Sequence, residues 1–286
     1  MKLKFLLKII AFLSVAISSV AFSDVIITSP IGTELIFSDK KTGENYDPYA
    51  WKKLSFKDGR DPIDLSIKGR YFTEDGSSRV SPSGEYLVVT SISGGYLDSV
   101  DGKREYIDKA HCSVVDMKNG CFVSDWDGEV CGYNWKKNED VLASSNSPGA
   151  ETFDFLSLRP TINSIKDNLP LLNETTVRNY LRCDMPDKKN INVYQELIKV
   201  NKVSKELVSE CIIKYLGGIS SEKTIIKKTY LFSASDNNSR TKAYLVSGDK
   251  VKVIQSSPDN RWVNIGYINA KGTPLVAWVK ADTLVK

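Results

Sequence analysis

The sequence predicts a multidomain protein that is mainly β, with a helical segment in its middle. Residues 24–147 are rich in strand signals and in turns that contain Gly, Asp and Ser. Apolar residues then recur at helical spacing between about residues 160 and 217, and five short strand-like runs follow at regular intervals. We therefore expect an antiparallel β unit at 24–147, a helical segment at 148–219 and a small β-barrel at 220–286.

The first 23 residues have the pattern of a secretory signal peptide. Three lysines precede an apolar stretch from residue 9 to residue 20, which is too short to span a bilayer comfortably. Residues 21–23, Ala-Phe-Ser, match a small-x-small cleavage site. We expect removal of residues 1–23 and a soluble product that is periplasmic or secreted, without a lipid anchor or a transmembrane segment.

The β unit contains a repeated opening that predicts hairpins. Residues 79–89 combine a Ser-Pro-x-Gly turn with an apolar strand, and residues 137–143 open in a similar way. Blades of β-propellers begin like this, but a propeller needs at least about four blades of four strands. Since this unit is too short for that, a meandering antiparallel sheet or an open sandwich is the better prediction.

Three helices are predicted in the central segment. The first begins at Asn173 and ends near Cys183, and the second covers about residues 192–200. The third helix has an N-cap, a hydrophobic staple and a closing glycine pair. These are Ser204, Val203 with Val208, and Gly217 with Gly218.

Five cysteines agree with an oxidising compartment. They are Cys112, Cys121, Cys131, Cys183 and Cys211. Because Cys183 and Cys211 fall on or near the apolar stripes of two different predicted helices, their pairing is the preferred disulfide, with at most one more bond among the other three. Two buried free thiols are the alternative. There is no Cys-x-x-Cys spacing and only one histidine, so we expect no metal site and no other cofactor.

The C-terminal module has five strand-like runs, at 229–232, 242–246, 250–254, 262–268 and 275–280. It resembles a bacterial SH3-like (SH3b) domain in the segments Tyr230-Leu231-Phe232, Tyr244-Leu245, Gly248 to Val253, Arg261 to Ile265 and Ala277-Trp278-Val279. The family usually has Gly where this chain has Ala277, and the resemblance covers about a fifth of the chain. It implies a small barrel that binds and rarely catalyses, and whose bacterial ligands are commonly cell-wall peptides or a protein partner.

Aromatic side chains are the candidate ligand-binding residues of this module. The candidates are Tyr230, Tyr244, Trp262 and Tyr267. Alternation within the run 262–268 places Trp262 and Tyr267 on opposite faces, so one set of aromatic residues belongs to the core. Tyr244 and Trp262 are the first choices for a groove, whereas Trp278 and Tyr230 are also candidates for the core.

The charge of the chain does not indicate nucleic-acid binding. The chain has 39 Lys+Arg and 35 Asp+Glu, and the loss of three lysines with residues 1–23 leaves 36 against 35. Such a balance lacks the clustered basic face that nucleic acid requires. The neighbouring Lys223, Lys227 and Lys228 are interpreted as a solvated linker.

The residue inventory argues against catalysis. The lone His111 directly precedes Cys112, which leaves no separately placed histidine for a Cys-His dyad, and no Gly-x-Ser-x-Gly surrounds any serine. Asp125, Asp127 and Glu129 could supply the paired carboxylates of a sugar-cleaving site, but acidic residues in a turn are more often solvated. We therefore expect that the protein is not an enzyme.

Two functional classes follow from these observations. In the first, an exported binding protein uses the SH3-like module to recognise a peptidoglycan peptide or a protein partner in the cell envelope. In the second, a periplasmic inhibitor or immunity protein neutralises a secreted toxin or an envelope hydrolase by direct binding. An adjacent toxin gene would favour the second class.

Overall fold

The computed structural model describes residues 24–40, 50–73, 79–98, 102–127, 131–144 and 151–285. The predicted signal peptide, residues 1–23, lies outside these ranges. The described chain is mainly β, with several antiparallel sheets and a group of helices, which confirms the predicted fold class at that level. None of the helices in these ranges is long and apolar enough to cross a membrane.

Eight strands form a large antiparallel sheet in the N-terminal part of the chain. They are β1 (Val25–Thr28), β2 (Glu34–Lys40), β3 (Ala50–Lys57), β4 (Ile63–Asp64), β5 (Arg70–Thr73), β6 (Tyr86–Asp98), β7 (Arg104–Asp116) and β8 (Cys121–Asp127). Their spatial order is β1-β2-β3-β5-β6-β7-β8, with β4 paired to β3. The sheet is therefore a meander, as the hairpin signals predicted, and β8 is one of its edges.

A small sheet lies next in the chain and covers part of the large one. Its strands are β9 (Tyr133–Lys136), β10 (Glu139–Ser144) and β11 (Thr152–Phe153), in the order β11-β10-β9. Because neighbouring residues of a strand point to opposite faces, β7 contributes to two separate cores. Val115 packs with Leu35 and Phe56 on one face, whereas Val114 packs with Leu142 of β10 on the other.

The three predicted helices are present in the central segment. They are α1 (Glu174–Cys183), α2 (Ile191–Val200) and α3 (Lys205–Gly217), preceded by 3-10 turns at Phe155–Leu158 and Ile162–Leu171. α1 begins where predicted. Asn173 is its N-cap, since its Oδ1 accepts the N–H of Thr176 at 2.9 Å. Ser204 is the N-cap residue of α3 as predicted, but its side chain forms no cap hydrogen bond. The predicted staple is wrong, because Val203 is 69% exposed while Val208 is buried.

The C-terminal module is an open sheet. Its strands are β12 (Glu222–Thr224), β13 (Thr229–Phe232), β14 (Arg240–Leu245), β15 (Lys250–Ser256), β16 (Trp262–Ile268) and β17 (Pro274–Lys280), in the order β12-β15-β16-β17-β13-β14. The five predicted runs all correspond to strands, but the predicted closed barrel is wrong. The outer edge of β15 is taken by β12, which was not predicted, so β14 ends the sheet without pairing back to it.

The helices pack on one face of this C-terminal sheet. Leu216 of α3 contacts the backbone of Gly266 in β16 so closely that a Cβ at that glycine would lie 2.2 Å from a Leu216 methyl carbon. Val276 of β17 belongs to the helical core, and its N–H donates to Gln195 of α2 at 2.9 Å. At the other side of the sheet β14 is an edge strand, and four of its six residues are exposed.

Two disulfides are present, but the preferred pairing of Cys183 with Cys211 is wrong. Cys112 pairs with Cys131, Cys121 pairs with Cys183, and Cys211 is free. The C-terminal end of α1 faces β8 rather than α3, which brings the Cα atoms of Cys121 and Cys183 to 4.9 Å. Helical periodicity identified an apolar stripe around Cys183 but carries no information on which element that stripe faces.

Candidate aromatic and basic binding surface

The structure brings together two of the four predicted ligand-binding residues. Tyr230 and Tyr244 lie opposite each other on β13 and β14, with ring centroids 6.3 Å apart in an edge-to-face arrangement. They are 40% and 51% exposed, respectively. Alternation explains their position, because their neighbours Leu231 and Leu245 point into the core of the module.

The other two predicted residues lie elsewhere. Trp262 is only 6% exposed and packs edge-to-face on Phe232, with a centroid distance of 4.7 Å. Tyr267 is half-buried against the core of the module, on the opposite face of β16. Trp262 is therefore a core residue, and neither side chain extends the exposed tyrosine pair.

Two cations cover the exposed tyrosine pair. The Nζ atom of Lys228 lies 4.3 Å from the ring centroid of Tyr244 and 5.9 Å from that of Tyr230. The guanidinium carbon of Arg240 lies 4.8 Å from the Tyr230 centroid. Contacts of this kind contribute about 0.5–1 kcal/mol each at exposed sites. We call these four residues the aromatic-basic surface.

A groove of about 470 Å³ adjoins the aromatic-basic surface. Besides Lys228, Tyr230 and Arg240, its lining includes Lys227, Phe232, Asn237, Lys280 and Asp282. Its one carboxylate is neutralised within the protein, since Lys227 Nζ lies 2.7 Å from Asp282 Oδ2 and this hydrogen bond lowers the pKa of Asp282 below its ordinary value. The groove is therefore basic in its net charge, and Lys228, Arg240 and Lys280 form no ion pair with any carboxylate of the described chain.

A rigid turn positions Arg240 at the start of β14. The Asp236 carboxylate accepts the N–H groups of Asn238 and Ser239, at 2.7 and 3.0 Å. The hydroxyl of Ser239 donates back to the carbonyl of Ala234 at 2.8 Å. Such side-chain bonds fix a short polar loop that would otherwise be mobile.

The cations of this site were not predicted. Lys227 and Lys228 were expected in a solvated linker, although Lys228 precedes Tyr230 by two residues and so shares its face by strand alternation. The spacing of Lys228 and Tyr230 could therefore have predicted that both side chains lie on one face. The position of Arg240 could not be predicted, because it depends on the loop before β14 and on the register shift between Tyr230 and Phe232.

The acidic cluster of the large sheet is not assembled as a site in the described residues. Asp125 pairs with Arg70 at 2.7 Å and accepts from Ser113 at 2.9 Å, so its carboxylate is held in a structural network. The Asp127 side chain and Glu129 lie outside the described part of the chain. His111 is buried, and its Nε2 lies 2.7 Å from Ser93 Oγ.

Comparisons with models of protein families, with curated proteins and with solved structures found no match for this chain. The SH3-like resemblance of the C-terminal module consequently rests on the residues quoted above and stays a prediction. Within the described residues, no group of three or more His, Cys, Asp or Glu side chains is placed to hold a metal ion. The aromatic-basic surface and its groove are the candidate site with the clearest chemistry.

Proposed function

We propose that this is an exported, non-enzymatic binding protein whose aromatic-basic surface recognises a carboxylate-bearing ligand of the cell envelope, the peptide part of peptidoglycan. One observation carries the proposal: two exposed tyrosines lie beneath Lys228 and Arg240, beside a groove whose single acidic residue is already ion-paired.

The chemistry of the surface suits such a ligand. Tyrosine rings offer a large contact area at a small cost in conformational entropy, and exposed tyrosines are enriched where proteins bind. Arginine pairs with a carboxylate through two parallel N–H donors, which adds orientation to attraction. A short peptide with free carboxylates could thus lay its backbone on the rings and direct its charges to Arg240 and Lys280.

The experiment is co-sedimentation of the mature protein with purified peptidoglycan sacculi. We expect saturable binding that weakens as salt rises, because exposed charge pairs are screened. The double variant Tyr244→Ala with Arg240→Ala should lower the affinity at least about tenfold, the loss of a few contacts near a binding centre. Lys271→Ala, in an exposed turn of the same module, is the matched control and should bind like wild type.

Two results would contradict the proposal. One is an absence of sedimentation with sacculi at any protein concentration tested. The other is equal binding by the double variant and by Lys271→Ala, with both shown to be folded by circular dichroism. Release of soluble muropeptides during the incubation would contradict the non-enzymatic part alone.

A further inference from the structure

A second cleft lies between the edge strand β8 and helix α1, and it shares no residue with the aromatic-basic surface. Its volume is about 790 Å³, within the usual range of ligand sites. Ile67, Phe122, Leu158 and Pro160 give it apolar walls, and the first turn of α1 and Arg182 give it polar ones. Leu158 is 52% exposed, so the apolar wall is open to solvent.

Arg182 carries a charge that the described part of the protein does not neutralise. Its Nε atom is buried without a hydrogen-bond partner, and its Nη2 reaches only Asn179 Oδ1, at 3.5 Å. Burial, and then the like charge of Arg178, lower the pKa of Arg182 to about 10, against the smaller opposing effect of Asp64. A guanidinium in such a position is costly unless a counter-ion accompanies it.

No carboxylate of the described chain forms an ion pair with Arg182. Asp64 favours its charge only from beyond ion-pair distance. Asp125 is paired with Arg70, and Glu174 is paired with Arg178 four residues along α1. Lys68 on the rim is exposed and adds a further positive charge. The cleft thus combines apolar walls with a half-buried cation that forms no ion pair in the described chain, which is complementary to an acidic side chain with apolar neighbours.

The edge of β8 is suited to an extended backbone. Asn179 of α1 accepts the N–H of Phe122 at 2.9 Å and donates to its carbonyl oxygen at 3.1 Å. These are the two bonds that an adjacent strand would make. Further along the cleft, at Ser124 and Asp125, no strand of the described chain lies beside this edge. Edge strands of this kind commonly accept a segment of another protein.

We propose that the cleft between β8 and α1 binds an extended segment of a partner protein, and that Arg182 pairs with an Asp or Glu side chain of that segment. The site is independent of the aromatic-basic surface. It gives the molecule two binding sites on different sheets.

The test uses a phage-displayed library of random dodecapeptides, selected on the full mature protein. We expect the enriched peptides to share an acidic residue flanked by apolar residues. Replacing that acidic residue by its amide in a synthetic peptide, or changing Arg182→Met in the protein, should weaken binding at least about tenfold, since each leaves one member of a desolvated charge pair alone. Arg261→Met, at an exposed arginine of the C-terminal module, is the matched control.

The stability of the free variant supplies a second readout. Since Arg182→Met removes a half-buried charge that has no ion-pair partner in the described chain, its Tm should equal or exceed that of wild type. A clearly lower Tm would show that Arg182 has a structural partner and would overturn the proposal. So would enriched peptides that bind Arg182→Met as well as wild type. Arg182→Lys keeps the positive charge but lacks the paired N–H donors of the planar guanidinium. This variant should still prefer acidic peptides, with reduced affinity.

Discussion

Tyr244 and Trp262 were equivalent candidates in the sequence, but their environments differ. Each lies in a β strand, and each is an aromatic residue that a small module could bury or expose. Tyr244 lies on the outermost strand with an exposed ring, while Trp262 lies on a central strand beneath Phe232 and Lys280. Whether each aromatic residue is buried or exposed therefore depends on where its strand lies in the sheet. The alternation of side chains within one strand does not reveal the order of the strands.

The first prediction concerns these two residues. Trp262→Ala should lower the free energy of unfolding by about 3–5 kcal/mol, the cost of emptying a buried aromatic site. Tyr244→Ala should lower it by less than about 1 kcal/mol, because this residue is 51% exposed. Urea unfolding followed by circular dichroism measures both. Comparable losses in the two variants would contradict the assignment of Trp262 to the core.

The positions of the three helices along the chain were predicted from the sequence, but the faces that they turn to their neighbours were not. Asn173 and the glycine pair at the C-terminal end of α3 are local signals, so these helix ends could be placed from the sequence alone. Which face of α1 meets the sheet depends on contacts with residues some sixty positions earlier, such as Phe122 and Cys121. That is why the strands and helices were found while the disulfide partner of Cys183 was not.

The second prediction follows from the disulfides. In the oxidised protein, unfolded without reductant, iodoacetamide should modify Cys211 alone. In the folded protein the reaction should be slower than with an ordinary thiol, since burial raises the pKa of Cys211. Peptide mapping under non-reducing conditions should recover Cys112 with Cys131, and Cys121 with Cys183. A peptide joining Cys183 to Cys211 would contradict the structure.

The Cys121–Cys183 disulfide should also make a measurable contribution to the free energy of unfolding. The Cys121–Cys183 bond closes a loop with a sequence separation of 62, which contributes about 4 kcal/mol to stability in the chain-entropy account. The double variant Cys121→Ser with Cys183→Ser should lose about that amount in urea unfolding. Cys211→Ser, which breaks no bond, should lose less than about 1 kcal/mol.

The third prediction tests the contact between α3 and the C-terminal sheet. Gly266→Ala should lower the free energy of unfolding by about 1–3 kcal/mol, because the new methyl group would overlap Leu216 in a closely packed core. Gly217→Ala is the control. Its Cβ would meet nothing within 4 Å, so no comparable loss is expected. Equal stability of the two variants would show that Leu216 can move aside.

For the whole molecule, the helices connect the two large sheets. α1 is joined to β8 by a disulfide and by Asn179, and α2 and α3 pack on β16 and β17. The sequence predicted the order of these parts along the chain. It could not predict that a strand such as β12, three residues long and polar, would keep the last sheet open.

The fourth prediction concerns the mature chain. Intact-mass analysis of protein recovered from the exported fraction should give a chain of 263 residues that begins at Asp24. Two disulfides should lower its mass by about 4 Da relative to the fully reduced chain, since each bond removes two hydrogens. A product that retains Met1, or one found only in the cytosol, would contradict the signal-peptide prediction.

The two disulfides interleave along the chain, and this affects how the protein must be made. Each loop contains one cysteine of the other bond, in the order Cys112, Cys121, Cys131, Cys183. A chain that crosses a membrane from its N-terminus presents the first three cysteines before Cys183 arrives. Oxidation in order of appearance would join Cys112 to Cys121, which blocks both native bonds. Native protein then forms only after thiol-disulfide exchange, so its yield in an expression host should depend on a disulfide isomerase as well as on an oxidant.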